Sequence, residues 1–418
     1  MHTSQASAAV IWTISLASIV LMLVRPRRIA EAYWICGGAI LLVAARLLPL
    51  RQAGHAVYQG LDVYLFLTGM MILAELAREE GVFDWVADAA ARHSGNSSAR
   101  LFVLIYVTGT IVTAVLSNDA TAVVLTPAVL AAVRRVRVEP KPYLLACALI
   151  ANAASFIFPI SNPANLVVFG RNIPPLFDWL RIFILPSIAA VVVTYLCLRW
   201  LSHRELLGKL TPEIRGISLS FEGKLAFAGL VCAAGALVVS SAMGLSLGLP
   251  TCCAAVFAMA VVTWHDRRIP LRIAKGVSWS ILPLVAGLFV IVQAMQNAGL
   301  LHVGLAGLES LGQTAAWMAR GAAAFSVALL SNGMNNLPVG LMSGAAIQHT
   351  HDAGVIAHAI LLGVDLGPNL SVTGSLATIL WLIALRREDA EITAWEFFKV
   401  GIIVMPIALI ASLLFLWN

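Results

Sequence analysis

A carboxylate set inside an apolar stretch is the feature of this chain most able to do chemistry. Asp119 lies in Leu116-Ser117-Asn118-Asp119-Ala120-Thr121-Ala122, and a near copy of that stretch recurs as Leu330-Ser331-Asn332-Gly333-Met334-Asn335-Asn336. A charge at the centre of a membrane helix costs roughly 2.5–3.5 kcal/mol on insertion scales, so such a residue normally faces a cavity and marks a path for an ion or substrate. Asp also caps helices well, and capping does not exclude function. The copies set Asn332 against Asn118 and Gly333 against Asp119, so only one carries the acid. Departures from a repeat are where function is commonly written.

Each copy is followed by a second break, Ser161-Asn162-Pro163-Ala164-Asn165 in one half and Gly367-Pro368-Asn369 running into Thr373-Gly374-Ser375 in the other. Paired breaks at matching places in two halves are the best sequence pointer to a transporter's binding site. Ser117, Asn118, Asn162, Asn165, Asn332, Asn335, Asn336, Thr373 and Ser375 form the candidate binding set. Asp119 and Asp365, the latter in Gly363-Val364-Asp365-Leu366-Gly367 at the unwound part of the second broken span, are the candidate proton-coupling groups. Any one amide or hydroxyl could instead satisfy backbone freed by a helix break, which lipid demands. The segments holding the breaks, Leu101–Val133, Tyr143–Gly170, Ala322–Gln348 and Asp352–Leu385, contain no Lys or Arg. No cationic side chain is at hand there for an anion, although half-helix N-termini can hold one. His358 reads as a packing residue. His349 and His351, in a loop without further ligands, and Cys252-Cys253 are poor metal sites, because buried cysteine is usually a small apolar filler.

These residues need spanning elements to position them. The chain is 60% hydrophobic and 11% charged, where a soluble domain carries about a quarter charged residues. The formal charge of +6 comes from short basic clusters between apolar runs, the positive-inside pattern of a membrane protein rather than a nucleic-acid footprint. Arg25-Pro26-Arg27-Arg28 follows the first apolar run, the reverse of a signal peptide's charge order. Spans are expected at about Ala8–Val24, Ile29–Leu50 and Val57–Ala77, followed by an amphipathic helix on the cytoplasmic surface between Arg78 and Arg100. Leu101–Val133 has basic residues at both ends and a break that leaves arms of roughly sixteen and fourteen residues, short of the twenty or so a span needs. It reads as a re-entrant hairpin. Tyr143–Gly170, interrupted by Pro159 and Pro163, reads as two half-helices.

The expected architecture is an all-α integral membrane protein with about ten transmembrane helices and two re-entrant hairpins in an inverted-topology repeat. Residues 1–200 form the N-terminal repeat, with five spans and an inward-opening hairpin at 101–133. Residues 201–224 are a cytoplasmic linker, and 225–418 the inverted C-terminal repeat, with five spans and an outer hairpin at 322–348. Both termini are expected outside.

At Leu116-Ser-Asn-Asp-Ala-Thr-Ala-Val-Val-Leu-Thr-Pro127, Ala151-Asn-Ala-Ala-Ser155, Pro159-Ile-Ser-Asn-Pro-Ala-Asn-Leu-Val-Val168, Ser331-Asn-Gly-Met-Asn-Asn-Leu-Pro338 and Val372-Thr-Gly-Ser-Leu-Ala-Thr-Ile-Leu-Trp381, the chain resembles the arsenite/antimonite efflux permeases (ArsB type) of the ion-transporter superfamily. The resemblance runs in order over essentially the whole chain. Many members carry Phe-Ala where this chain has Leu116-Ser117. The resemblance implies extrusion of trivalent arsenic and antimony hydroxides coupled to proton influx across a bacterial cytoplasmic (inner) membrane, sometimes with a soluble ATPase subunit, and its functional acid maps onto Asp119. No G-x-x-x-x-G-K-S/T loop is present, so ATP use would come from another chain. The reading is a transporter rather than an enzyme, without a cofactor or nucleic-acid partner. The alternatives are another superfamily carrier, such as a sodium/proton antiporter or carboxylate transporter, an intramembrane aspartyl protease built on Asp119 and Asp365, and a passive channel.

Overall fold

In hydrocarbon every backbone N–H and C=O must be satisfied within its own segment, so the apolar runs fold as helices. The computed structural model describes residues 5–208, 210, 216–264, 267–300, 315–348 and 354–416, and no strand occurs among them. In the first half, α1 (Gln5–Val24), α2 (Glu31–Ala44), α3 (Leu50–Gln59), α4 (Leu61–Glu79) and α5 (Val82–His93) precede α6 (Ser98–Val115). After the break come α7 (Asn118–Ala120), α8 (Thr126–Arg135), α9 (Lys141–Ala153), α10 (Pro163–Phe169) and α11 (Leu176–Leu201). The second half has α12 (Phe221–Ala242), α13 (Gly248–Thr263), α14 (Ile269–Gly276), α15 (Ile281–Asn297), α16 (Ala316–Met334), α17 (Asn336–Gln348), α18 (Gly354–Leu366), α19 (Leu376–Arg387) and α20 (Ala394–Leu414).

Five described helices, α1, α6, α11, α12 and α20, are long and apolar enough to cross a membrane, and two bent pairs raise the count to seven. The pairs are α3 with α4, bent by 47°, and α14 with α15, bent by 43°. The run expected at Val57–Ala77 is therefore two helices meeting at Gly60, and the run expected to Leu50 stops at Ala44. The 14 residues of α2 reach only about 21 Å at 1.5 Å each. Three apolar helices of this kind, α2, α13 and the one starting at Gly354, fall short of a full crossing.

The helix expected to lie on the membrane surface, α5, turns Val82, Phe83, Ala87 and Ala91 into the protein and packs on α6 and α8. Its Asp88 holds Arg92 at 3.0 Å and Arg135 at 3.6 Å and accepts the Ile217 N–H at 2.9 Å. That ties the end of α8 to the segment before α12.

Contacts recur in reciprocal pairs across the halves. α4 packs on α13 and α15 on α2; α6 packs on α9 and α16 on α18; α10 packs on α17, while α19 packs on α8 and the turn before it. The α4–α13 approach is close enough to need glycine, since a Cβ on Gly69 would lie 2.7 Å from the Thr251 carbonyl. α9 from Pro142 to Ala153 and all of α10 are buried, as expected of helices apolar on every face. Large apolar side chains on α11, α12 and α13, such as Phe177, Val231 and Phe257, point outward. The broken helices thus form the centre, and the long ones face lipid.

Candidate functional site

The first break begins where α6 ends. Leu116 leaves the helix and Ser117 is fully extended, with φ −178° and ψ 166°. The Ser117 hydroxyl accepts the Ala120 N–H at 3.2 Å and restarts the helix, and Asn118 Oδ1 accepts the Asp119 N–H at 2.9 Å. Pro127 has no N–H to offer, and the chain makes a π turn over Thr121–Leu125 in which Thr126 Oγ1 donates to the Thr121 carbonyl at 3.0 Å. Such turns are rare and cluster at functional sites. Thr113 and Thr121 hydroxyls, 2.8 Å apart, join α6 to the π turn across the break.

Asp119 stands half-buried on the wall of a cavity of roughly 80 Å³. Ser117, Ala120, Val123 and Val124 from the first break and the turn after it line it with Pro163 at the start of α10, Leu380 on α19, Glu75 on α4, Gly276 at the end of α14, and Val277 and Ser278 after it. No Lys or Arg lines it, and its two ionisable residues are Asp119 and Glu75. Among the described residues the Asp119 carboxyl makes no hydrogen bond or ion pair. A liquid water occupies about 30 Å³, so the cavity has room for a few waters or one solute of a few heavy atoms.

Beside it, the two broken spans are bonded to each other at their breaks. Asn162 caps α10 by accepting the Ala164 N–H at 3.0 Å and donates to Asp365 Oδ1 at 2.7 Å. Asp365 is fully buried, and its Oδ2 has no hydrogen-bond partner among the described residues. Ser155 lies near the same carboxyl but donates to the Asn152 carbonyl at 2.7 Å. Asn152 in turn donates to Asn369 Oδ1 at 3.0 Å, and Asn369 to the Leu149 carbonyl at 3.0 Å. Asp365 belongs to the last turn of α18, not to unwound chain as its Gly-flanked sequence suggests. Replacing Asn162 with Ala removes the bond to Oδ1 and the α10 cap. Leaving a buried polar group unsatisfied costs about 1–3 kcal/mol, so the purified Asn162→Ala protein is expected to melt measurably below wild type. An unchanged melting temperature in detergent would show that this strut does not hold the halves together.

The second half builds a different knot. Asn332 donates to the Ala328 and Gly367 carbonyls at 2.7 and 2.8 Å, accepts the Ser371 hydroxyl at 2.6 Å through Oδ1, and its carbonyl takes the Thr373 hydroxyl at 2.9 Å. The helix runs through Asn332 and Gly333 and breaks only at Asn335, whose φ of 75° is left-handed. Placed by the breaks, Ser117 therefore corresponds to Asn335 and Asn118 to Asn336, so Leu337, not Gly333, occupies the place of Asp119. Asn335 and Leu337 line a cavity of only about 10 Å³ with Glu31, Leu376 and Ile379.

Of the residues expected from sequence, Ser117 and Asp119 line the larger cavity and Asn335 the smaller. Asn118 and Asn336 are buried at the starts of the second arms. Asn165 spends its amide on the Ser155, Phe158 and Pro159 carbonyls at 2.9–3.3 Å, and Ser375 caps α19 through the Ala377 N–H at 3.1 Å. Sequence reading missed Glu75, which fell within the span expected at Val57–Ala77, and Asn152 and Ser371; Asn369 was named within its break but not among the candidate residues. His358 packs edge-on against Phe183, His349 and His351 lie outside the described residues, and Cys252 and Cys253 are unpaired thiols. Among the described residues no group of three or more His, Cys, Asp or Glu could hold a metal ion.

A family model described as a citrate transporter, CitMHS, matches residues 19–367. The chain is 25% identical over 406 residues to an arsenical pump membrane protein of Escherichia coli, with 94% of each chain covered. It is 28% identical over 354 residues to another from Escherichia coli strain K12, with 80% of this chain and 81% of that one covered. A putative arsenical pump membrane protein of Bacillus subtilis strain 168 is 24% identical over 429 residues. In fold, the chain is similar to the crystal structure of the YdaH transporter of Alcanivorax borkumensis, with a TM-score of 0.57 at 12% identity over 87% of this chain and 86% of that one. It is also similar to the MtrF efflux pump of Neisseria gonorrhoeae, with a TM-score of 0.53 at 12% identity over 91% and 84%.

Proposed function

Because this chain belongs to the CitMHS citrate-transporter family, a family of membrane carriers and not of enzymes, we propose that it is a secondary transporter and that its cargo is arsenite, with antimonite as a second substrate, exported from a bacterial cytoplasm across the inner membrane against inward-moving protons. The observation that carries this reading is the cavity at Asp119, which presents a hydroxyl, a carboxylate without a partner and a largely apolar wall, with no cationic side chain. Arsenous acid is a small neutral trihydroxide at neutral pH and needs no cationic clamp. Citrate would bring several negative charges to a wall that already holds two carboxylates, and an unpaired charge taken from water is penalised heavily. The arsenical pump relatives support the same cargo.

Asp119 takes a proton from outside and releases it inside, and its charge state biases which face is open. The reciprocal packing of the halves and the matched bent pairs support an inverted repeat with hairpins at Leu101–Val133 and Ala322–Gln348. The contrast between one cavity of roughly 80 Å³ and its counterpart of about 10 Å³ fits a carrier caught open on one side. The remaining candidates, Asn118, Asn162, Asn165, Asn332, Asn336, Thr373 and Ser375, hold the broken backbone that shapes the site. A soluble ATPase subunit is a partner this reading permits and does not require. Uptake of arsenite into everted membrane vesicles tests it: accumulation is expected when a proton gradient is imposed and is expected to disappear when the gradient is collapsed. Accumulation indifferent to the gradient would exclude proton coupling, and equilibration without accumulation would identify a passive channel.

A further inference from the structure

We propose that Glu75 is the residue that takes the proton from Asp119 and delivers it to the face of the membrane where Arg78 and Arg272 lie. The inference rests on the reading that Asp119 carries the coupled proton, and three observations lead to Glu75. It is the other ionisable residue among those lining the Asp119 cavity, where the remaining polar side chains are the hydroxyls of Ser117 and Ser278. It joins the buried cavity to an exposed charge, its side chain 8% exposed while that of Arg78, its ion-pair partner outside the cavity lining, is 47% exposed. Its position is also enforced. Arg78 Nε donates to Glu75 Oε2 at 2.9 Å and Arg78 Nη2 to Oε1 at 2.5 Å, a two-point grip that fixes the carboxylate plane. From the other side Gly276 presses against the carboxyl so closely that a Cβ there would overlap Glu75 Oε1.

The charged groups that the structure places around Glu75 are Arg78 and Glu79 on its own helix, Arg272 of α14, which faces Glu79 at 3.8 Å, and Asp119 across the cavity. Arg78 also donates to Glu79 at 2.7 Å, so its guanidinium is shared between two carboxylates and is not among the residues lining the cavity. At about 30 Å³ per water, the cavity's roughly 80 Å³ accommodates a chain of two or three waters. The Asp119 acid gives its proton to a cavity water, that water gives one to the Glu75 carboxylate, and the Glu75 acid releases one to water beyond Arg78. Asp119 is left ionised, Glu75 returns to its starting state, and one proton has crossed.

The test is gradient-driven arsenite uptake into everted vesicles, read as a pH profile, for wild type, Glu75→Gln, Glu75→Asp and Gly276→Ala, with each protein checked for a monodisperse peak after solubilisation. Glu75→Gln is expected to slow gradient-driven uptake by about a hundredfold, the usual scale for loss of a positioned proton-transfer group, and to flatten the profile. Glu75→Asp is expected to restore the profile in part. Gly276→Ala keeps the carboxylate but displaces it, and is expected to weaken uptake in the same direction, so it decides the matter if Glu75→Gln does not fold. A monodisperse Glu75→Gln protein with wild-type rate and profile overturns this relay and leaves Asp119 in place. A wild type indifferent to the gradient overturns the coupling reading and the relay together.

Discussion

Asp119→Asn is expected to reach the membrane folded and to lose gradient-driven arsenite accumulation entirely. Asparagine keeps the size and most of the hydrogen-bonding capacity of the side chain but cannot titrate. The Asp119 carboxyl makes no hydrogen bond or ion pair among the described residues, so the substitution breaks no such contact; the local bond is made by its backbone N–H, to Asn118. Removing the charge also lowers the cost of holding this position within the membrane. Loss of function should therefore come without loss of protein, which separates it from the Asn162→Ala change, where a cap and a buried bond disappear together. The readout is uptake into everted vesicles at matched protein levels across a range of pH. Accumulation against a gradient with an unchanged pH dependence would remove Asp119 from the coupling role and move it to Asp365, the fully buried acid in the last turn of α18.

The second large effect is on selectivity. Antimonite should compete with arsenite for uptake, while arsenate, phosphate, succinate and citrate should not when present at comparable concentration. The wall at Asp119 carries two carboxylates and no Lys or Arg. Arg78, the guanidinium beside it, is engaged by Glu75 and Glu79. An anion entering this space would lose its hydration without gaining a charge partner, a penalty that exceeds what one or two hydroxyl contacts return. A difference of even 3 kcal/mol is more than a hundredfold in affinity, enough to make competition invisible at equal concentrations. Strong inhibition by citrate would show that half-helix N-termini, such as that of α7, supply what the side chains do not, and would make this chain a carboxylate carrier in keeping with its family's description.

The sequence determined the class of this protein, the places where its helices break and the acid that lines its larger cavity. Composition settled the membrane environment, because so large an apolar share has no other solvent. Proline, glycine and amide clusters marked the breaks at Ser117, Asn162 and Ser375 to within a residue or so, because a missing donor or a capping side chain acts over a few neighbouring residues. Asp119 was legible because a carboxylate in apolar text is costly wherever the fold puts it. What the tertiary structure decided is which polar groups face the cavity and which serve the backbone. An asparagine beside a helix break has the same local signature in either role. Asn165 turned to three carbonyls of its own loop, Asn162 to Asp365 in the other half, and Ser117 to both a cap and a cavity wall. The position of the break between α16 and α17 was settled the same way. The helix continues past Asn332 because Gly367, Ser371 and Thr373, from the other break, supply its partners. Glu75 joins the site only because Gly276, about two hundred residues away in the chain, brings the α14–α15 junction against it. Partners that far apart leave no trace in local spacing, since a helical pattern records which residues share a face and not what that face meets.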